Sequence, residues 1–427
     1  MGKIKNSKRD FFKSLRNLFF TYFLSQLLLT KQTKAKKNKP RVVVIGAGFG
    51  GAGCISYLSK FSKILDLYVF DKHSSIQTGP FSNLVIGDIF TPQDITFKPK
   101  FSSNVEFYDK RVKFIQSEKK KIVFSDNQSF SYDILILSPG IGFKSKNIEG
   151  YSDRNIYLTP DCWDGEKNLA DFKKRLNDLE NNSKVLISAP DYPYRCPPAP
   201  YERASMIAYY LKKKKLNFTI TILDSKDSFT KKENFFSEWK KNYNNSINWI
   251  SRKEGGKVLS IKNKEVLTEK GLKFSGDIIN IIPDQKASNI IHQSELINED
   301  WCTVNPINFE LRGHKDIYVL GDSIDAGDMP KSGFSANSQA QALSMNLINM
   351  LLQKKYTDPV FLNTCYSFST NDRAFSITAW YRLNSSKDRI VSLGSKESQL
   401  LASDLERIDE SKEAFGWYKN ITKMMYG

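Results

Sequence analysis

An unbroken apolar run, Arg41-Val-Val-Val-Ile45, which breaks at once into Gly46-Ala-Gly48-Phe-Gly-Gly51, constrains this chain more than any other stretch. A run that is apolar at every position reads as a parallel strand buried on both faces. The G-x-G-x-x-G that follows gives each glycine a task. Gly46 makes the tight turn, Gly48 lets a pyrophosphate approach the backbone, and Gly51 lets the next helix, expected through about Lys60, pack on the strand. That helix turns its free N-terminal N–H groups toward the anion. A second strand, Leu67-Tyr-Val-Phe70, closes on Asp71, where a carboxylate can hold an adenosine ribose. Strand, turn, helix and acid together predict a dinucleotide-binding unit rather than a ligand-free glycine turn.

The same arrangement starts again further on and then fails. Lys184-Val-Leu-Ile-Ser-Ala-Pro190 reads as the first strand of a second βαβ unit, with a helix over about 201–215 and a next strand over 218–224. Between Ile187 and Tyr201, however, the chain has four prolines besides Pro190 and no glycine. Such a backbone cannot offer the consecutive free N–H groups that hold a pyrophosphate, so NAD(P)H binding in the second unit is not expected. Elsewhere, Lys121-Ile-Val-Phe124 reads as a hairpin strand, 129–140 as a buried strand ending at Gly140, 166–179 as a helix and 278–283 as a strand. The strand over 316–322 ends in Gly321-Asp322, and the helix over about 335–352 turns its positive N-terminus toward the first site.

The expected fold is therefore α/β, with two Rossmann-like dinucleotide-binding domains, the first discontinuous, and a C-terminal α+β interface domain. Residues 1–39 read as an export signal or anchor with its linker. The first dinucleotide domain takes 40–150 and, after an interruption, 286–355. The interruption, 151–285, is the second Rossmann-like domain with its degenerate site, and 356–427 form the C-terminal domain. A chain of 427 residues suits such a division.

The net charge of +18 comes from lysines scattered along the chain and from single tracts such as Lys212-Lys-Lys-Lys215. No nucleic-acid-binding module accompanies them, so nucleic acid is not an expected partner. The N-terminus differs: a basic stretch precedes Leu18-Phe-Phe-Thr-Tyr-Phe-Leu-Ser-Gln-Leu-Leu-Leu29, and a lysine-rich spacer follows. This describes an export signal, too short in its apolar region for an ordinary spanning helix. Ser7-Lys-Arg-Asp-Phe-Phe-Lys13 is similar to a twin-arginine signal with lysine at the first arginine. A periplasmic protein is expected, anchored through this segment if it is kept; an amphipathic appendage of a cytoplasmic enzyme is the alternative. The five cysteines form no C-x-x-C, and the three histidines are His73, His292 and His314. The chain itself is expected to carry no c-type haem and no metal.

Three longer motifs narrow the reading. Tyr194-Arg-Cys-Pro-Pro-Ala-Pro-Tyr-Glu-Arg-Ala-Ser205, Met329-Pro-Lys-Ser-Gly-Phe-Ser-Ala-Asn-Ser-Gln339 and Asn363-Thr-Cys-Tyr-Ser367 resemble the flavoprotein subunit of flavocytochrome c sulfide dehydrogenase, over nearly all of 41–427. Its relatives are the sulfide:quinone oxidoreductases and the wider FAD-dependent pyridine nucleotide-disulfide oxidoreductases. The resemblance implies FAD as cofactor, sulfide as substrate and a separate c-type cytochrome subunit as electron acceptor in a heterodimer. It also implies a redox-active disulfide between Cys196 and Cys365, with Cys365 the flavin-facing sulfur, and an acid–base role for Glu202. A carboxylate merely favoured at a helix N-terminus is the alternative for Glu202.

The candidate FAD contacts are Gly46, Gly48, Gly51, Asp71, Val112, Gly140, Asp322 and Lys331. Gly79 stands where well-known members carry a flavin-tethering cysteine, so noncovalent FAD is expected. Cys54 is expected in the core, and Cys162 and Cys302 as structural. Two other functions remain open: a sulfide:quinone oxidoreductase, against which the lack of a long amphipathic C-terminal membrane helix and the closeness of the motifs to the flavocytochrome are counted, and a catalytically idle flavin-binding scaffold.

Overall fold

The computed structural model describes residues 39–151, 160–163 and 166–427; the N-terminal signal-like segment lies outside them. Two parallel sheets dominate. The first has five strands, in the order Ile317–Val319, Ile134–Leu137, Arg41–Ile45, Asp66–Asp71 and Val105–Asp109. Its register pairs Ile45 with Phe70 and with Leu137, so the strands end at one edge. Gly46, Asp71 and the turn at Gly140 all stand at that edge, where ligands of open parallel sheets bind. The strand Ile317–Val319 comes from far along the chain and pairs with Ile134–Leu137, which makes the first domain discontinuous as expected.

The second sheet has the order Ile247–Ile250, Phe218–Asp224, Ser183–Ala189 and Ile278–Ile281, all parallel. Two short strands, Ile141–Phe143 and Gln285–Ala287, pair antiparallel where the chain passes between the two units. The third module is an antiparallel sheet of Val360–Phe368, Ala374–Leu383 and Ile390–Glu397, followed by the helix Asp404–Tyr426.

One reading needs correction. The 129–140 stretch is not one strand: Ser129–Ser131 belongs to a small antiparallel sheet and Ile134–Leu137 to the main one. The break falls at Tyr132-Asp133 because the Asp133 carboxylate accepts from the Arg41 amide at 2.7 Å, tying the chain to the start of the first strand. At the C-terminus stands a helix of 23 residues, an element the sequence reading did not place. Ser403 and Glu406 cap it reciprocally, and Ala414, Tyr418, Ile421, Met425 and Tyr426 bury one face. Tyr426 donates to the Ala47 carbonyl at 3.1 Å, beside the glycine turn. Among the described residues no helix is long and apolar enough to cross a membrane.

Candidate active site

The glycine turn has the geometry its sequence demands. Gly46 adopts φ +93, and a Cβ there would lie 2.4 Å from the Ser138 carbonyl oxygen. At Gly51 a Cβ would lie 1.8 Å from the Gly46 oxygen, so only glycine lets helix and strand pack. Gly48 differs, since a Cβ there would meet nothing within 4 Å and would project into a cradle. The Asp71 carboxylate accepts from Ala47 N at 2.8 Å and His73 N at 3.0 Å, which aims it along the sheet edge. Val112 pairs with Phe124, whose ring lies 5.0 Å from that of Phe70, the residue before Asp71.

The returning strand supplies the other end of the site. Gly321-Asp322 forms a tight turn, and Asp322 Oδ1 is buried without a hydrogen-bond partner. Burial raises the Asp322 carboxyl, with Arg195 and Lys331 opposing. Gly140, at φ +77, also faces open space. The helix Gly333–Leu351 is capped by Ser332, whose hydroxyl accepts from Ser335 N at 3.0 Å. Asn363 Oδ1 accepts from both Ser332 Oγ (2.6 Å) and Ser335 Oγ (3.2 Å), joining this cap to the strand that carries Cys365. Lys331 Nζ sits 3.6 Å above the Trp301 ring, and burial pulls it down to about 8.

The two cysteines of the separate motifs meet here. Cys196 follows the proline turn at φ 56, and its amide donates to the Lys331 carbonyl at 2.8 Å. Cys365 lies on the strand Val360–Phe368, and the two half-buried thiols are neighbours that interact electrostatically. The interaction with Cys196 lowers Cys365 to about 7; burial opposes the shift and the Lys231 charge assists it. Cys196 is pushed well up by the same interaction, then by burial and the charges of Cys365 and Glu202. Glu202, on the first turn of the helix Ala199–Lys213, accepts from Asn83 Nδ2 at 2.7 Å and from the Phe368 amide at 3.0 Å. Burial raises its carboxyl, with Asn83, Phe368 and Lys231 pulling the other way.

Two further residues of the site were not singled out in the sequence. Lys231 reaches the Cys365 strand from the second domain, and Arg203 is buried with its Nε 3.2 Å from Asn83 Oδ1. In the second sheet Asp224 ends its strand as Asp71 does in the first, yet its carboxylate is already taken. Tyr201 and Trp249 donate to it, the latter at 2.8 Å, and Lys226 Nζ pairs with it at 2.6 Å. Lys226 also donates to the Pro190 carbonyl at 2.6 Å. Asp224 thus spends its carboxylate on an internal ion pair and two neutral donors. Cys54, Cys162 and Cys302 are buried, and burial lifts each thiol to about 12.

Three family profiles match this chain: pyridine nucleotide-disulphide oxidoreductase over 40–187, the central region of the sulfide dehydrogenase (flavocytochrome c) flavoprotein chain over 170–283, and the flavocytochrome c sulphide dehydrogenase flavin-binding domain over 357–426. The chain belongs to the pyridine nucleotide-disulphide oxidoreductases, with the domains of the flavocytochrome c sulfide dehydrogenase flavoprotein. Mitochondrial sulfide:quinone oxidoreductase of Dictyostelium discoideum is 23% identical over 356 residues, covering 76% of this chain and 74% of the relative. Ferroptosis suppressor protein 1 of Taeniopygia guttata is 22% identical, covering 80% and 89%. The fold is shared with the sulfide:quinone oxidoreductase of Aquifex aeolicus, at TM-score 0.69 and 16% identity over 90% of this chain and 92% of that one.

The protein is an FAD-dependent oxidoreductase of this family, and its residues fit the cofactor. The Gly48 cradle and the N-terminus of the helix Phe49–Leu58 suit the pyrophosphate, and Asp71 suits the adenosine ribose. The unpartnered Asp322 Oδ1 suits a ribityl hydroxyl, and the capped N-terminus of Gly333–Leu351 suits the ring end. The flavoprotein's Gly79 is exposed, and a Cβ there would meet nothing within 4 Å.

Proposed function

We propose that this flavoprotein oxidises sulfide, using Cys196 and Cys365 as a redox-active disulfide, and passes the electrons to a separate c-type cytochrome subunit. The observation that carries this reading is the meeting of two sulfurs from segments far apart in sequence, held by Lys331 on one side and Asn363 on the other. With the pair oxidised, hydrosulfide attacks Cys196 Sγ. A new sulfur–sulfur bond forms, the Cys196–Cys365 bond breaks, and its electron pair leaves on Cys365 as thiolate. Glu202, hydrogen-bonded to Asn83 and to the Phe368 amide and with its carboxyl raised by burial, is the acid–base group of the pair. Bound noncovalently, FAD supplies acceptance of two electrons and their release one at a time.

The flavocytochrome-type domains support the cytochrome as acceptor, and the basic, apolar N-terminal segment supports export to the periplasm. The likeness to sulfide:quinone oxidoreductases supports a quinone as the second candidate acceptor. Anaerobic mixing with sulfide, followed by cytochrome c or a short-chain quinone, tests both. Sulfide bleaches the flavin absorbance and cytochrome c restores it; restoration by quinone alone favours the second acceptor. Bleaching by NADH and not by sulfide overturns the proposal.

A further inference from the structure

Lys231 is the N-cap of the helix Lys232–Tyr243, in a left-handed conformation at φ 65, and is only 3% exposed. Its Nζ donates to Ser367 Oγ at 2.7 Å, to the Cys365 carbonyl at 2.9 Å and to the Phe375 carbonyl at 3.4 Å. An ammonium has three protons and no lone pair, and each proton here finds an oxygen. A lysine buried this deeply without a carboxylate in direct contact is costly unless its charge serves its surroundings. The negative or ionisable groups that bear on it are Cys365, Glu202, Cys196 and Glu397. Glu397 is on the third strand of the C-terminal sheet, Glu202 on the helix Ala199–Lys213, and Cys196 on the proline turn.

We propose that Lys231 is the positioning residue that makes Cys365, rather than Cys196, the sulfur that departs as thiolate, and so directs the sulfur nucleophile to Cys196. This rests on the disulfide reading above. In the exchange hydrosulfide gives Cys196 a second sulfur, the old bond breaks, and the negative charge that arrived on hydrosulfide ends on Cys365. Disulfides open toward the better leaving thiol. The lysine lies against the backbone of Cys365 itself, whereas Glu202 places negative charge near Cys196 and disfavours a thiolate there. The other ionisable groups facing the pair are Arg203 and Tyr194 toward Cys196 and Tyr381 toward Cys365. Arg203 is committed to Asn83, Asn280 and the carbonyls of Asp161 and Cys162, which leaves Lys231 as the cation bearing on Cys365.

The test uses the full chain with its flavin. In a Cys196→Ser background, where the serine hydroxyl can still donate to Cys365, the rate of iodoacetamide labelling at Cys365 is followed against pH by peptide mass spectrometry. Lys231→Gln keeps two amide donors and removes the charge; it raises the labelling midpoint by about one to three units. Lys231→Arg keeps the low midpoint. Ser367→Ala removes one acceptor and no charge, and leaves the midpoint where it was. An unmoved midpoint in Lys231→Gln, or an equal rise in Ser367→Ala, overturns the proposal.

A second measurement needs no lysine variant: the wild-type protein is given one equivalent of sulfide and alkylated, and the cysteine bearing the extra sulfur is identified. Cys196 is expected, and Cys365 overturns the assignment. Flavin reduction by sulfide at the native rate in Cys196→Ser would instead remove the disulfide reading itself, a result distinguishable from failure of the lysine's role.

Discussion

The amide of Cys196 donates to the carbonyl of Lys331 at 2.8 Å. That bond pins the proline segment, which stands where a second glycine loop would be, to the turn that leads into the helix Gly333–Leu351. The sulfur pair and the helix Gly333–Leu351 therefore share one mechanical support, and Asn363 adds a second through Ser332 and Ser335.

The glycine turn separates folding from cofactor binding. Gly48→Ala adds a methyl to open space at a φ of −69 that alanine accepts, so the variant folds with near-native thermal stability and loses most of its flavin. Gly51→Ala puts a methyl 1.8 Å from a backbone oxygen and destabilises the fold by roughly 1–3 kcal/mol or more. Flavin content and thermal melts of the two purified variants check this.

How much of this was legible depends on how local the cause was. Gly46, Gly48, Gly51 and Asp71 could be read because turn, cradle and strand end are set by residues a few positions apart. Cys196 and Cys365 could be paired only through the resemblance of two distant motifs. Lys231 left no mark at all: in a chain rich in solvated lysines, its burial is decided by the strand that packs over it. The ion pair at Asp224 was hidden for the same reason, although Asp224 ends a strand just as Asp71 does. The C-terminal helix did carry a signal, Ser403-Asp-Leu-Glu406, a capping box that the aromatic content of the tail obscured. The strands Val105–Asp109 and Ile390–Glu397 escaped because they lie at sheet edges with mostly exposed side chains.

The proline segment and the Asp224–Lys226 ion pair together predict indifference to pyridine nucleotides. NADH at millimolar concentration leaves the flavin spectrum unchanged. Lys226→Ala leaves the buried Asp224 carboxylate without its cation and lowers stability by about 3 kcal/mol, as read by denaturant unfolding.

Docking of the C-terminal module onto the helix that Lys231 caps is pH-sensitive. Glu238, on that helix, accepts from Arg373 Nη2 at 2.8 Å and lies 3.6 Å from Arg407 Nε. Burial alone would raise the Glu238 carboxyl, but Arg373, Ser369 and Arg407 bring it below its ordinary 4.5. A carboxyl lowered on folding contributes stability above its unfolded value, and this is lost as pH falls through the folded one. Glu238→Gln therefore lowers the melting temperature at pH 7, and the gap to wild type closes as pH drops below 4.5. A gap constant with pH contradicts this.

With glycine at position 79 the flavin is expected to be free. Acid precipitation of the protein leaves all yellow colour in the supernatant as FAD. Flavin retained in the pellet after washing would show a tether elsewhere in the chain.

The central claim, that sulfide electrons enter through Cys196 and Cys365, is tested most directly by anaerobic stopped-flow mixing of sulfide with wild type, Cys196→Ser and Cys365→Ser, all loaded with FAD. The account predicts rapid bleaching in wild type and a loss of at least about a hundredfold in rate in both variants, the scale on which removing a directly reacting group acts. Bleaching at the wild-type rate in both variants would contradict it.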